Sequence, residues 1–248
     1  PKFANARTVG AEKFSWYKVI IMKLHRFFID PQCFEGRMVK IVNVDIAKQI
    51  AKVLRLVPQD DVLLLDGDGF EYTARLTKVS SREVVGEILH RQMNNNEPEL
   101  KIALYQAMAK KDKFEWVVEK GTEIGVSAFV PVITERSEKK GIAVPRLQKI
   151  LREAAEQSER ALIPELSDTQ EFSQALARAS RGAETIVLHP EGVLIRDYKS
   201  LRPLFALNIF IGPEGGFSEA EIDLVRKLAI EGAPIKIVSL GARILRTE

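Results

Sequence analysis

A single cysteine, three histidines and the absence of any apolar run of membrane-spanning length set the first limits on this chain. Cys33 alone cannot form an internal disulfide, which points to a reducing, cytoplasmic setting. Beside Pro31 and Phe34 and outside any thiol motif, it reads as a small buried hydrophobe. His25, His90 and His189 are too scattered to share a metal with one another or with Cys33, so no metal is expected. There is no G-x-G-x-x-G and no Gly-Lys-Ser/Thr behind a glycine loop, which disfavours the common phosphate cradles. Charge is nearly balanced. The 37 Lys and Arg against 34 Asp and Glu leave +3, and a pI near 8.9 tolerates a polyanionic partner without requiring one. Residues 1–21 lack the apolar core and cleavage pattern of a secretory signal, and read as an extension upstream of Met22.

What is present is an ordinary globular composition, 46% hydrophobic over 248 residues, enough for one large domain or two smaller ones. The last third is the most informative. Asn208-Ile209-Phe210-Ile211 runs into Gly212-Pro213-Glu214-Gly215-Gly216-Phe217-Ser218, and Ile235-Lys236-Ile237-Val238-Ser239-Leu240 runs into Gly241-Ala242-Arg243-Ile244-Leu245. Glycines at a strand exit let a ligand approach main-chain groups that a Cβ would screen. Ligands in α/β sheets gather at the carboxyl ends of strands. Ser218 with Glu221 reads as a capping box opening a helix through Leu224, Val225 and Leu228. Glu214 in the loop repels phosphate and tolerates a neutral or cationic ligand.

Upstream, residues 22–93 are mostly strand, with apolar runs at 38–42 and 62–65, a short helix capped by Asp45, a hairpin turn at Asp66-Gly67-Asp68-Gly69 and another turn at Ser80-Ser81. This pattern suggests a small β-barrel. The polar stretch 94–99 reads as a linker. Beyond it, strands at 100–104, 128–132, 185–188, 207–211 and 235–238 alternate with helices at 113–124, 145–160, 171–179 and 218–230. That alternation predicts an α/β domain over 100–248 with a mostly parallel sheet. In the helix from Pro145, Leu147, Ile150, Leu151, Ala154 and Ala155 form a core stripe, with Arg146, Lys149 and Arg152 on a basic arc.

The two glycine loops resemble those of the small-subunit (16S) ribosomal RNA uracil-N3 methyltransferases, the RsmE family of the SPOUT superfamily. Four further stretches share the resemblance: Leu24-His25-Arg26-Phe27-Phe28; Lys120-Gly121-Thr122-Glu123-Ile124-Gly125-Val126; Thr134-Glu135-Arg136-Ser137; and Glu153-Ala154-Ala155-Glu156-Gln157-Ser158 with Arg160 and Pro164. Together they cover nearly everything after Met22.

The resemblance implies a PUA-like RNA-binding β-barrel over 22–93, a trefoil-knotted SPOUT domain over 100–248, and a homodimer. It implies S-adenosylmethionine as cofactor, held by Leu188, His189 and Pro190, by Ile211, Gly212, Pro213, Glu214, Gly215 and Gly216, and by Leu240, Gly241, Arg243, Ile244 and Leu245. The implied substrate is 16S rRNA in the small ribosomal subunit. Methylating N3 requires the loss of its proton. Arg136, Arg160 and Arg243 are candidates either to stabilise the uracil anion or to grip phosphate, and Glu123 to orient the base. Each also has a plainer reading, as a solvated or ion-paired arginine or, for Glu123, a residue in the last turn of its helix. Gln157, Ser158 and Arg160, with His25, Arg26 and Arg55, are the RNA-contact candidates. Lys48-Gln49 stand where relatives often carry histidine. The family pattern continues past Arg246-Thr247-Glu248 into a helix that completes the knot, so the chain ending at Glu248 is expected to have that helix incomplete. Two other readings stay open: a SPOUT methyltransferase for another RNA, and a non-catalytic RNA-binding or ribosome-assembly factor.

Overall fold

The computed structural model describes residues 24–137, 141–200, 204–243 and 245–247. The expected extension at 1–21 lies outside the described residues, as do Ile244 and Glu248.

The first half folds as a six-stranded sheet. Its strands are β1 (Arg26–Phe28), β2 (Phe34–Glu35), β3 (Met38–Ile41), β4 (Asp61–Leu65), β5 (Phe70–Val79) and β6 (Val84–Met93), ordered β1-β4-β5-β6-β3-β2. β1 and β4 run parallel and every other pair is antiparallel. Alternate residues from both sides of this path, including Phe27, Ile41, Leu64 and Leu76, enter one core cluster. Strands far apart in the order share an interior only if the sheet curls round it. The hairpin at 66–69 joins β4 to β5, with Gly67 and Gly69 at φ +82° and +92°. The short helix α1 (Val44–Lys48) begins two residues earlier than expected. Asn43 Oδ1 accepts from the Asp45 and Ile46 amides at 3.0 and 3.2 Å, so Asp45 sits in the first turn.

The second half comprises β7 (Lys101–Ala107), α2 (Lys111–Glu123), β8 (Ala128–Ile133), α3 (Val144–Gln157), β9 (Glu165–Leu166), β10 (Gln170–Glu171), α4 (Phe172–Ala179), β11 (Glu184–Leu194), β12 (Ala206–Ile211), α5 (Glu219–Ile230) and β13 (Ile235–Ser239). Its sheet runs β10-β8-β7-β12-β11-β13, with β9 also on β8, and every pair is parallel. Both faces are covered, as a parallel sheet requires. Tyr105 and Phe210 point towards α4 and α5, whereas Leu104 and Ile209 point towards α2 and α3. Phe210 stacks on Tyr105 at 4.3 Å between centroids and meets the edge of Phe172 at 5.9 Å. Complete burial of such a ring is worth roughly 1.5–3 kcal/mol.

α3 joins the halves. Arg152 Nη1 donates to the Phe28 carbonyl at 2.7 Å, and the Phe28 amide donates to Glu156 Oε1 at 2.9 Å. Arg26 pairs with Glu159 at 3.1 Å, and the side chains of Asn94 and Asn96 both donate to the Glu159 carbonyl. The basic arc of α3 is therefore largely used internally, since Arg146 is bonded to Glu115 of α2 at 2.9 Å. The helix also stops at Gln157, short of Arg160. Glu159 adopts φ +64° and turns the chain inward.

Candidate functional site at the carboxyl edge of the parallel sheet

Register places three strand exits side by side. Val187 of β11 lies opposite Phe210 of β12 and Ile237 of β13, so Leu188, Ile211 and Leu240 leave the sheet along one edge. After Leu188 the strand loops outward. Leu188 and Val193 both face Val238, leaving His189, Pro190, Glu191 and Gly192 outside the ladder. A Cβ on Gly192 would sit 2.5 Å from the Val238 amide nitrogen, so only glycine lets the chain rejoin β13 there. Glu191 is tied to Arg226 of α5 at 3.0 Å.

The loop after β12 is held from several sides. Phe217 packs against Phe172 at 5.2 Å and folds back over Gly212, where an added Cβ would lie 3.2 Å from its ring. Ser218 and Glu221 form the expected reciprocal cap, at 3.3 and 2.8 Å. Glu221 also accepts from the Glu135 amide at 2.9 Å, and Arg136 Nη1 donates to the Gly215 and Phe217 carbonyls at 3.0 and 3.4 Å. Lys113, near the start of α2, reaches Glu214 at 3.1 Å. Gly216 has φ +68° and Gly241, beyond β13, has φ +120°. An added Cβ at either would meet nothing within 4 Å. Leu240 and Leu245 are 47% and 56% exposed, so this edge presents uncovered apolar walls beside open backbone. Of the expected cofactor residues, only Ile244 falls outside the described set.

The candidate catalytic residues divide into two groups. Arg136 and Arg243 lie with the glycine loops, both exposed. Glu123 and Arg160 do not. α2 starts at the carboxyl edge and runs back across the sheet, so Glu123 in its last turn is roughly 18 Å away along the helix and pairs with Lys120. Arg160, with only 4% of its side chain exposed, donates to the Thr122 and Val126 carbonyls at 3.0 and 2.6 Å and pairs with Glu97 at 2.7 Å. Its burial at the opposite edge corrects the expectation that it meets uracil or phosphate. Burial raises the Glu97 carboxyl pKa, but the bond and charge of Arg160 outweigh it and leave it below the ordinary value.

The RNA-contact candidates divide in the same way. His25, Arg55 and Gln157 are exposed. Arg26 is 13% exposed in its pair with Glu159, and Ser158 donates to the Ala154 carbonyl, which gives both structural bonds. Sequence reasoning missed Gln106, Lys113 and Thr247. The available signal was Gln106, an amide between Tyr105 and Ala107 in a mostly apolar strand, because a buried amide needs partners. Beside the glycine loop lies an open cleft of about 440 Å³ lined by Thr134, Phe172, Ser218 and Leu224. Its carboxylates, Glu135, Glu171 and Glu221, disfavour a phosphate. Among the described residues no group of three or more His, Cys, Asp or Glu is placed to hold a metal, and no helix is long and apolar enough to cross a membrane.

Comparison with known proteins identifies the class first. A family described as "RNA methyltransferase domain" matches residues 96–248, and one described as "RNA methyltransferase PUA domain" matches residues 45–89. The ribosomal RNA small subunit methyltransferase E of Bacillus subtilis is 31% identical over 241 residues, covering 91% of this chain and 92% of its own length. The Neisseria gonorrhoeae protein of that name, solved bound to S-adenosyl methionine, superposes with a TM-score of 0.79 at 30% identity, over 90% of this chain and 92% of that one. A Legionella pneumophila protein solved in complex with the same cofactor gives 0.79 at 31% identity, over 91% and 92%. The chain belongs to the ribosomal RNA small subunit methyltransferase E family.

Proposed function

We propose that this chain is an S-adenosylmethionine-dependent methyltransferase that modifies N3 of a uridine in the decoding region of 16S rRNA. It acts in the cytoplasm, as a homodimer, on the small ribosomal subunit. The observation that carries the reading is the row of three strand exits at Leu188, Ile211 and Leu240, with the open Gly216 and Gly241 between exposed apolar walls. That surface suits the cofactor. Leu240 and Leu245 offer faces for an adenine, and uncapped main-chain groups can read its edge.

Bound there, the cofactor supplies an electrophilic methyl group on a sulfonium. The protein's tasks are then to align N3 and to stabilise the ring as its proton departs. Arg136 and Arg243 are the cations at this edge, and we assign them to the developing uracil anion or an adjacent phosphate. Arg136 is already oriented by its bonds to Gly215 and Phe217. Residues 22–93 form the RNA-gripping domain, with His25 and Arg55 as exposed contacts, and 94–99 join it to the methyltransferase domain at 100–248. The return of the chain from β13 to Thr247, against Gly212 and Gln106, supports a trefoil knot in that domain.

The test is calorimetric titration with S-adenosylhomocysteine, comparing wild type with Leu240→Glu, followed by mapping of N3-methyluridine in 16S rRNA from cells that lack the modification and receive this gene. Saturable binding, weakened at least about tenfold by the charged wall, and a restored methyl group are expected. Binding with methylation of some other RNA would overturn the substrate, and no binding by folded wild type would overturn the cofactor.

A further inference from the structure

Three chain segments far apart in sequence meet at one hydroxyl. Thr247 Oγ1 donates to the Gly212 carbonyl at 2.5 Å and accepts from Gln106 Nε2 at 3.1 Å. Gln106 is fully buried near the end of β7, and Thr247 is 9% exposed. We infer that Thr247 is a positioning residue for the proposed cofactor loop, the joint through which Gln106 fixes the carbonyl of Gly212.

Donor and acceptor accounting sets the direction of this relay. A carbonyl only accepts, so the single hydroxyl proton of Thr247 goes to Gly212. Thr247 can then only accept from Gln106, which must present its amide nitrogen. The second hydrogen of that nitrogen is used as well, on the Ala107 carbonyl at 3.2 Å. The arrangement leaves Gln106 Oε1 buried without a partner among the described residues. Buried acceptors are nearly always satisfied.

The consequence reaches two walls of the site. Phe217 anchors the far end of the glycine loop in the core, and Thr247 anchors its near end at the first residue past β12. Leu245 is two residues before Thr247 and exposed at the same edge, so the hydroxyl that holds Gly212 also sets where that apolar wall stands. Residues after β13 and the loop after β12 are thereby coupled through one side chain.

The inference rests on the cofactor reading, and the test separates the two. Thr247→Val keeps the volume and removes both hydrogen bonds, and Thr247→Ser keeps the hydroxyl. Amide hydrogen exchange across residues 212–218 is measured without ligand, alongside titration with S-adenosylhomocysteine and a melting curve to verify folding. For the valine variant, about tenfold faster loop exchange and about tenfold weaker binding are expected, the scale of one lost hydrogen bond, with serine restoring both to within about twofold. Unchanged exchange in Thr247→Val would overturn the inference, as would a serine variant as loose as the valine one, which would make the methyl contact the cause. If wild type itself binds no S-adenosylhomocysteine, the cofactor reading falls, and the exchange rates still decide the positioning role.

Discussion

Arg160 and Glu97 form a buried ion pair at 2.7 Å, and the carboxylate also accepts the amides of Ala161 and Leu162 at 3.1 and 3.2 Å. The pair closes the stretch between the two sheets onto the end of α3. Removing one member strands the other in a poorly solvated place, a loss of about 3–5 kcal/mol. Arg160→Met is therefore expected to lower stability by that amount in urea denaturation, and Glu97→Gln added to it should recover much of the loss. The carboxyl pKa of Glu97 is depressed in the fold, so its contribution is full above the ordinary carboxylate range and fades as pH falls through the folded value. The arginine variant should lose that acid dependence. A cost under about 1 kcal/mol would count against the structural role.

Glu156 shows the opposite behaviour. Burial raises its carboxyl pKa despite the Phe28 amide bond and the charge of Arg152. A raised carboxyl favours the folded state when protonated, so its contribution is full below the ordinary value and is lost as pH rises through the folded one. Glu156→Gln keeps an acceptor for Phe28 and removes the buried charge. Its melting temperature at pH 7 should exceed that of wild type by about 2–4 °C, the shift that about 1 kcal/mol produces at this size. The gain should shrink towards pH 4. An equal gain at both pH values would rule out the charge as the cause.

Gly192 marks the return of the outward loop to β13, where an added Cβ would meet backbone atoms of Ile237 and Val238 at 2.5–2.6 Å. Neither strand can yield without breaking the ladder. Gly192→Ala should cost about 1–3 kcal/mol by overpacking and displace His189, Pro190 and Glu191 from the sheet edge. Binding of S-adenosylhomocysteine should weaken more than global stability does. A variant with wild-type affinity would separate this loop from the cofactor site.

Much of this architecture was legible from periodicity. The alternation from β7 onward gave a parallel sheet, and the Ser218–Glu221 cap was readable because it is local chemistry, complete within four residues. Asn43 and Asp45 are both good caps two residues apart, and only backbone direction chooses between them. Arg160 was misread for a deeper reason. A residue past a helix end looks exposed in sequence, and nothing local signals that Glu159 takes φ +64° and turns it into the interior. The Gln106–Thr247–Gly212 contact joins residues 141 and 35 positions apart, which no short-range pattern encodes.

With Arg152 and Glu156 on Phe28, and Arg26 on Glu159, the small sheet is fastened to the helix that also packs beneath the large one. Those bonds oppose a hinge between the two halves and favour a calliper set to one opening. A rigid calliper selects by span. Under the function proposed above, the uridine such a calliper would accept is the one lying at the set distance from the feature the small sheet grips. Each residue added to α3 before Arg152 would advance that setting by about 1.5 Å and swing it by about 100°, so on the proposed reading the length of one helix would enter the choice of substrate.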